Sequence, residues 1–208
     1  MSKTQYASVV FIFFISFNIS SQNRNNNELI GGPCQGCEAI YEYGNRQLSS
    51  VDTLPQFNSL PNAIKVSGVV YKVDGKTPAN GIILYVYHTN NKGIYPSNKN
   101  SEGWERRHGY LRGWMKTDSQ GRYAFYTSRP ASYPNTNIPQ HIHITVKEPG
   151  KNEYYIDDFY FSDDPNITKS ILNKRKPRAG YGVISLQKAG KLQVATRDII
   201  LGLNIPNY

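Results

Sequence analysis

Pro139-Gln140-His141-Ile142-His143-Ile144-Thr145-Val146 reads as a β-strand, because β-branched residues dominate it and Pro139 stands where a strand can begin. Successive strand side chains point to opposite faces, so His141 and His143 share one side while Ile142 and Ile144 share the other. Two imidazoles side by side on a rigid element suit a metal ion. They equally suit the wet face of an ordinary strand, and the spacing alone does not decide between the two. Only four histidines occur in the chain, and two of them are here.

The rest of the composition fits a β protein built around such a strand. With 208 residues, 38% hydrophobic, the chain can bury one core and is too short for two large ones. Gly 17, Pro 12 and Tyr 16 combine many turn formers with many strand-favouring aromatics, which points to an all-β sandwich or barrel. The net charge is +9, but the basic residues are scattered. Lys174-Arg175-Lys176-Pro177-Arg178 is a short run that suits a solvated loop, so no nucleic-acid partner is expected.

Residues 1–22 read as a cleaved secretory signal: Lys3, then an unbroken apolar run from Ala7 to Phe17, then Ser20-Ser21-Gln22. The run is too short to span a bilayer comfortably, so export to the periplasm or exterior is expected, without stable membrane insertion after cleavage. Residues 23–62 read as an N-terminal arm with a C-x-x-C, Cys34 and Cys37. In an exported chain a local disulfide is the expected state of that pair. Its apolar contacts are expected from Tyr41, Tyr43, Leu54, Phe57 and Leu60.

Residues 63–208 read as the regular domain. Lys65–Val73 and Gly81–His88 are expected strands, joined at the turn Asp74-Gly75-Lys76-Thr77-Pro78 into a hairpin-like unit. Asn90 to Arg112 is a long Gly- and Asn-rich connection of the kind that carries function. A strand ending at Thr127, a second loop from Ser128 to Ile138, a single strand Tyr154–Phe161, a short helical turn in 166–178, and strands at 182–186 and 192–201 complete the pattern.

The opening Gly68-Val69-Val70 with Gly93-Ile94-Tyr95 resembles the intradiol ring-cleavage dioxygenases. The middle resembles them more closely: Arg112-Gly113, Thr117-Asp118, Gly121-Arg122-Tyr123, Phe125, Thr127, Pro130, Tyr133-Pro134 and His141-Ile142-His143, followed by Phe159-Tyr160-Phe161, Asp164-Pro165 and Arg197-Asp198-Ile199. The resemblance covers roughly residues 64–201. It implies an antiparallel β-sandwich with long active-site loops, and an Fe(III) ion held by Tyr95, Tyr133, His141 and His143. It implies that a small aromatic diol and O2 are the reaction partners, with a muconate-type diacid as product. Tyr133 is then the ligand that leaves to act as base. A homo-oligomer stays open.

Three positions depart from the family pattern, one of them Gln140, which directly precedes His141 where a small residue is commoner. Ile138 stands where many members carry an Arg that stabilises charge on the substrate ring, and Asp158 stands about where related enzymes have a Gln. Arg112 and Arg129 are the candidate replacements for the missing cation. Two alternatives remain beside ring cleavage: a transthyretin-like or carboxypeptidase-regulatory-like binding module, suggested by Val66 to Tyr87, and an iron-binding relative that has lost ring cleavage, suggested by Ile138.

Overall fold

The computed structural model describes Met1 and residues 29–59 and 61–208. The expected signal segment and the expected contact of Leu60 lie outside the described residues. Among the described residues no helix is long and apolar enough to cross a membrane.

Twelve strands among the described residues form two six-stranded sheets. The first sheet holds β1 (Val51–Thr53), β2 (Ala63–Tyr71), β5 (Arg122–Ser128), β10 (Gln187–Ala189), β11 (Leu192–Thr196) and β12 (Ile199–Ile200). The second holds β3 (Ile83–Tyr87), β4 (Arg112–Lys116), β6 (His141–Lys147), β7 (Tyr154–Tyr155), β8 (Phe159–Phe161) and β9 (Val183–Ile184). Two single helical turns, α1 (Glu105–His108) and α2 (Lys169–Leu172), sit in the connections. The sandwich is all-β, as expected, but both sheets are mixed. β1 runs parallel to β5, β11 and β12 run parallel to β2, and β9 runs parallel to β8.

Several expected elements are redrawn. β2 and β3 are not a hairpin: they belong to opposite sheets. The turn after β2 does close locally, with Lys72 N–H donating to the Thr77 carbonyl, but the chain then crosses to the other layer. β4 falls partly inside the stretch read as loop, because Gly113 interrupts its pattern. The strand expected over Tyr154–Phe161 breaks at Ile156–Asp158 into β7 and β8. The arm is more ordered than expected. Its 3-10 turn Cys37–Tyr41 buries Cys37, Ala39 and Ile40, and β1 joins the first sheet. Leu54 is buried, whereas Tyr41 is exposed. Cys34 and Cys37 are disulfide-bonded.

The core lies between the sheets. On β6 it takes Ile142, Ile144 and Val146; on β3, Leu84 and Val86; on β8, Phe159 and Phe161. By strict alternation the outer face of the second sheet receives His141 and His143, Tyr85 and Tyr87, and Arg112 and Trp114. That outer face is not bare. Ala39 and Ile40 of the arm form a second apolar cluster on Tyr85 and Trp114.

His88, just beyond β3, is fully buried and clips the two sheets together. One ring nitrogen lies 2.6 Å from the Thr127 hydroxyl of β5 and the other 2.7 Å from the Thr89 carbonyl. Burial lowers its pKa to about 4. The unfolded chain therefore takes up a proton near pH 6.5 that the folded chain refuses, so stability present above pH 6.5 is lost as pH falls towards 4. In the metal-free protein, urea unfolding across that window is expected to lose roughly 3 kcal/mol to this group. His88→Gln should flatten the slope, and an unchanged slope would show that His88 is not the group responsible.

Candidate metal centre

The register of two strands places the first part of the site. β3 pairs antiparallel with β6, setting Tyr87 directly opposite His143. The two rings stack at 4.6 Å, and His108 of α1 stacks on the other side of Tyr87 at 3.8 Å. His108 is itself anchored by the Tyr85 hydroxyl, 2.8 Å from its Nδ1. Sequence reasoning did not single out Tyr87 or assign His108 a role, because both depend on strand pairing and on where a loop folds back.

The two tyrosines come from the long loops. Tyr95 follows β3 and Tyr133 precedes β6. The loops are joined backbone to backbone: Ala131 N–H donates to the Asn90 carbonyl (3.1 Å), and the Thr89 hydroxyl donates to the Ala131 carbonyl (2.7 Å). At the closest approach stands Gly93, with φ +73°, where a Cβ would lie 2.0 Å from the Ser132 carbonyl oxygen. Only a glycine allows both the turn and the contact.

Four polar atoms then meet. Tyr95 Oη lies 2.5 Å from Tyr133 Oη and 2.9 Å from His143 Nε2. Tyr133 Oη lies 3.3 Å from His141 Nε2 and 3.4 Å from His143 Nε2, and the two Nε2 atoms are 3.1 Å apart. The tautomers follow from the partners behind the rings. His141 Nδ1 is 2.7 Å from the Pro139 carbonyl, and His143 Nδ1 is 3.1 Å from Asp158 Oδ1. Both partners only accept, so both Nδ1 atoms carry the proton and both Nε2 lone pairs face the same point.

Two lone pairs so close repel unless a cation lies between them. Metal–donor bonds of about 2 Å at ordinary angles leave donors roughly 3 Å apart, as found here. The protein alone holds both phenols and His141 neutral. Burial raises the Tyr95 phenol, helped by Tyr133, and burial raises Tyr133 as well. Burial lowers His141. Ionised tyrosines therefore require charge from a bound cation.

Asp158 is the addition that sequence reasoning recorded only as a departure from a family pattern. Its oxygen and the ring nitrogens of His141 and His143 fall within 4.8 Å of one another. Burial raises its carboxyl, but His143 and His141 outweigh that and hold it below the usual range. Its position is rigid: the buried Arg197 donates to the Asp157 carbonyl at 2.6 Å, and a Cβ on Gly182 would lie 2.0 Å from the Asp158 carbonyl oxygen.

The structure brings Tyr95, Tyr133, His141 and His143 together and leaves the two arginines apart. Arg112 pairs with Glu42 and, at 3.2 Å, with Glu105, and it packs over Trp114. Arg129 is spent on both oxygens of Asp163 at 2.8 Å and on Gln140 at 2.6 Å. Neither guanidinium contacts the four donors. Ile138 is 45% exposed, so the position carries no packed core role.

A β-sandwich with a Tyr2His2 cluster beside the outer face of one sheet offers a donor set that fits a non-haem metal ion. The family model described as Dioxygenase matches residues 42–188. That is more than half of the chain, and the protein belongs to the intradiol dioxygenase family. It is 34% identical over 110 residues to catechol 1,2-dioxygenase of Candida albicans, covering 44% of this chain and 35% of that protein. It is 27% identical over 149 residues to the protocatechuate 3,4-dioxygenase beta chain of Burkholderia cepacia, covering 66% of this chain and 63% of that one. The chain thus spans about a third of one curated relative and just under two thirds of the other. The dioxygenase domain of a dioxygenase–carbohydrate-binding fusion from Streptomyces sp. SirexAA-E superposes with a TM-score of 0.55 at 20% identity, covering 77% of this chain and 94% of that one. Catechol 1,2-dioxygenase from Acinetobacter sp. ADP1 gives 0.52 at 15% identity, covering 76% and 58%. These likenesses are of fold.

Because Gly93 holds the two tyrosine loops together, Gly93→Ala is expected to cost ferric-ion affinity at least tenfold while the β-sheet circular dichroism persists. Metal content after dialysis against a competing chelator measures it. Unchanged retention would mean the loops do not preorganise the donors.

Proposed function

We propose that the protein is a non-haem iron enzyme that cleaves catechol-type rings between the two hydroxyl-bearing carbons, with both atoms of O2 entering the product. The convergence of two tyrosine oxygens and two imidazole Nε2 lone pairs on one point carries this reading. A ferric ion suits the set, since a hard, highly charged cation favours phenolate oxygen and accepts neutral imidazole. When bound, iron would supply the Lewis acidity that renders a catecholate reactive towards O2.

The chain's own groups have separable tasks. His141 and His143, fixed from behind by the Pro139 carbonyl and Asp158, would hold the ion in place. Tyr95 and Tyr133 would balance its charge. Tyr133 has the looser contacts to both imidazoles, at 3.3 and 3.4 Å against 2.9 Å for Tyr95 to His143. It is the better candidate to take a proton from the incoming diol. Tyr87 would cover one face of the His143 ring. The family match and the four-donor cluster favour this reading over the small binding module, which explains neither.

Iron-loaded protein is expected to be red from phenolate-to-iron charge transfer. Tyr95→Phe and Tyr133→Phe should each shift or bleach that band, and oxygen uptake with catechol should fall at least a hundredfold. A colourless wild type after ferric loading would sink the proposal.

With Arg112 and Arg129 committed elsewhere, no arginine described above is free to stabilise charge on the ring. Turnover should accordingly be slow. Ile138→Arg, at an exposed position, is expected to raise kcat about tenfold or more and to change catechol affinity less. An equal gain in both would show that the new guanidinium only aids binding.

A further inference from the structure

The C-x-x-C loop remains without a task in the proposed reaction, and the cavity it walls suggests one. The loop from Pro33 to Cys37 lies beside the outer face of β6 and lines an open-mouthed cavity of about 270 Å³ with Tyr87, His143, Tyr155 and Asp158. The wall is rigid. The disulfide joins Cys34 to Cys37, and Thr145 of β6 donates to Cys37 Sγ at 3.7 Å. Gly36 turns at φ +90°, where a Cβ would lie 2.8 Å from His108 Nε2.

His143 belongs to both places: its Nε2 faces the donor cluster, and the ring lines the cavity. The donor cluster and the cavity thus share one wall, the His143 ring. Among the described lining residues Asp158 alone carries a formal charge, and it is a carboxylate. Its hydrogen bond from His143 Nδ1 keeps it there. Arg178 stacks 3.7 Å over the Tyr155 ring and spends its N–H groups on the Gly31 and Tyr155 carbonyls, and Arg197, whose charge reaches Asp158, is buried and donates to the Asp157 carbonyl.

We propose that this cavity is the substituent pocket and that Asp158 makes the protein select neutral or cationic catechols against carboxylated ones. This rests on the ring-cleavage reading above. A ring carboxylate in this half-buried pocket would meet the Asp158 carboxylate, and like charges there repel enough, after partial screening, to weaken binding about tenfold. An ammonium substituent would meet the opposite sign and gain.

The experiment uses the full chain loaded with ferric ion and three 4-substituted catechols of similar size: 4-methylcatechol, protocatechuate and 4-(aminomethyl)catechol. Their Kd values are read anaerobically from the visible charge-transfer band. Protocatechuate is expected to bind about tenfold more weakly than 4-methylcatechol, and the ammonium compound as tightly or more tightly. Asp158→Asn, which keeps an acceptor for His143, should bring the anionic and neutral compounds within about threefold of each other. If that variant fails to fold or to hold iron, raising the salt concentration with wild type decides instead, since the ratio should shrink towards one. Protocatechuate binding as tightly as 4-methylcatechol would overturn the assignment. A ratio that neither salt nor Asp158→Asn changes would overturn it too, leaving shape as the cause. If none of the three perturbs the band, the ring-cleavage reading itself falls.

Discussion

Two imidazole lone pairs held 3.1 Å apart set the terms for everything around them. Neither ring can turn away. His141 is tied by its Nδ1 to its own strand's entry at Pro139, and His143 to Asp158. Two phenols close the remaining sides, and burial keeps them protonated. An arrangement of this kind is crowded for a protein alone, where the phenols donate to the imidazoles, Tyr95 to His143 Nε2 at 2.9 Å and Tyr133 to His141 Nε2 at 3.3 Å. It becomes favourable when a cation joins it. The polar face of β6, the glycine at the loop contact and the carboxylate behind His143 all serve that single requirement.

The requirement reaches the fold through register. Tyr87 meets His143 because β3 pairs with β6 in one register, and a slip by one residue would turn both histidines into the core. The inward isoleucines of β6 prevent the slip, since Ile142 and Ile144 are wholly enclosed. Arg112, opposite Tyr87 on β4, belongs to the same outer row. Its two carboxylate partners, Glu42 of the arm and Glu105 of α1, draw the arm and the helical turn onto the sheet. An arginine considered for chemistry is thus a strut beneath it.

How much of this was legible followed from the range of each interaction. The alternation of β6, the H-x-H face, the long loops and the short turn near residue 169 are local patterns, and they read directly. The four donors were legible only as an ordered set resembling a family, because nothing in a lone tyrosine among 16 distinguishes Tyr95 or Tyr133. Partner strands were not legible. β2 and β3 look like a hairpin because a real turn joins them, yet the chain uses the turn to change layers. The break between β7 and β8 was hidden as well. Tyr154 to Phe161 alternates well enough for one strand, but Arg197, far along the chain, captures the Asp157 carbonyl and bends it. That bend delivers Asp158 to His143.

Charge ties two of the three departures from the family pattern together, Ile138 and Asp158. Ile138 removes a positive group near the site and Asp158 adds a negative one, so the centre becomes more negative at both positions. The chain as a whole carries +9. The two fields act at different distances. A net positive surface attracts anions from solution and affects how often they arrive, while screening confines it to about a Debye length. A half-buried carboxylate beside His143 acts after arrival, at close range and only partly screened. On the proposed reading, molecules drawn to the surface by charge are therefore not those the site retains. Selectivity rests with the short-range group, because equilibrium affinity depends on the bound state and not on the approach to it.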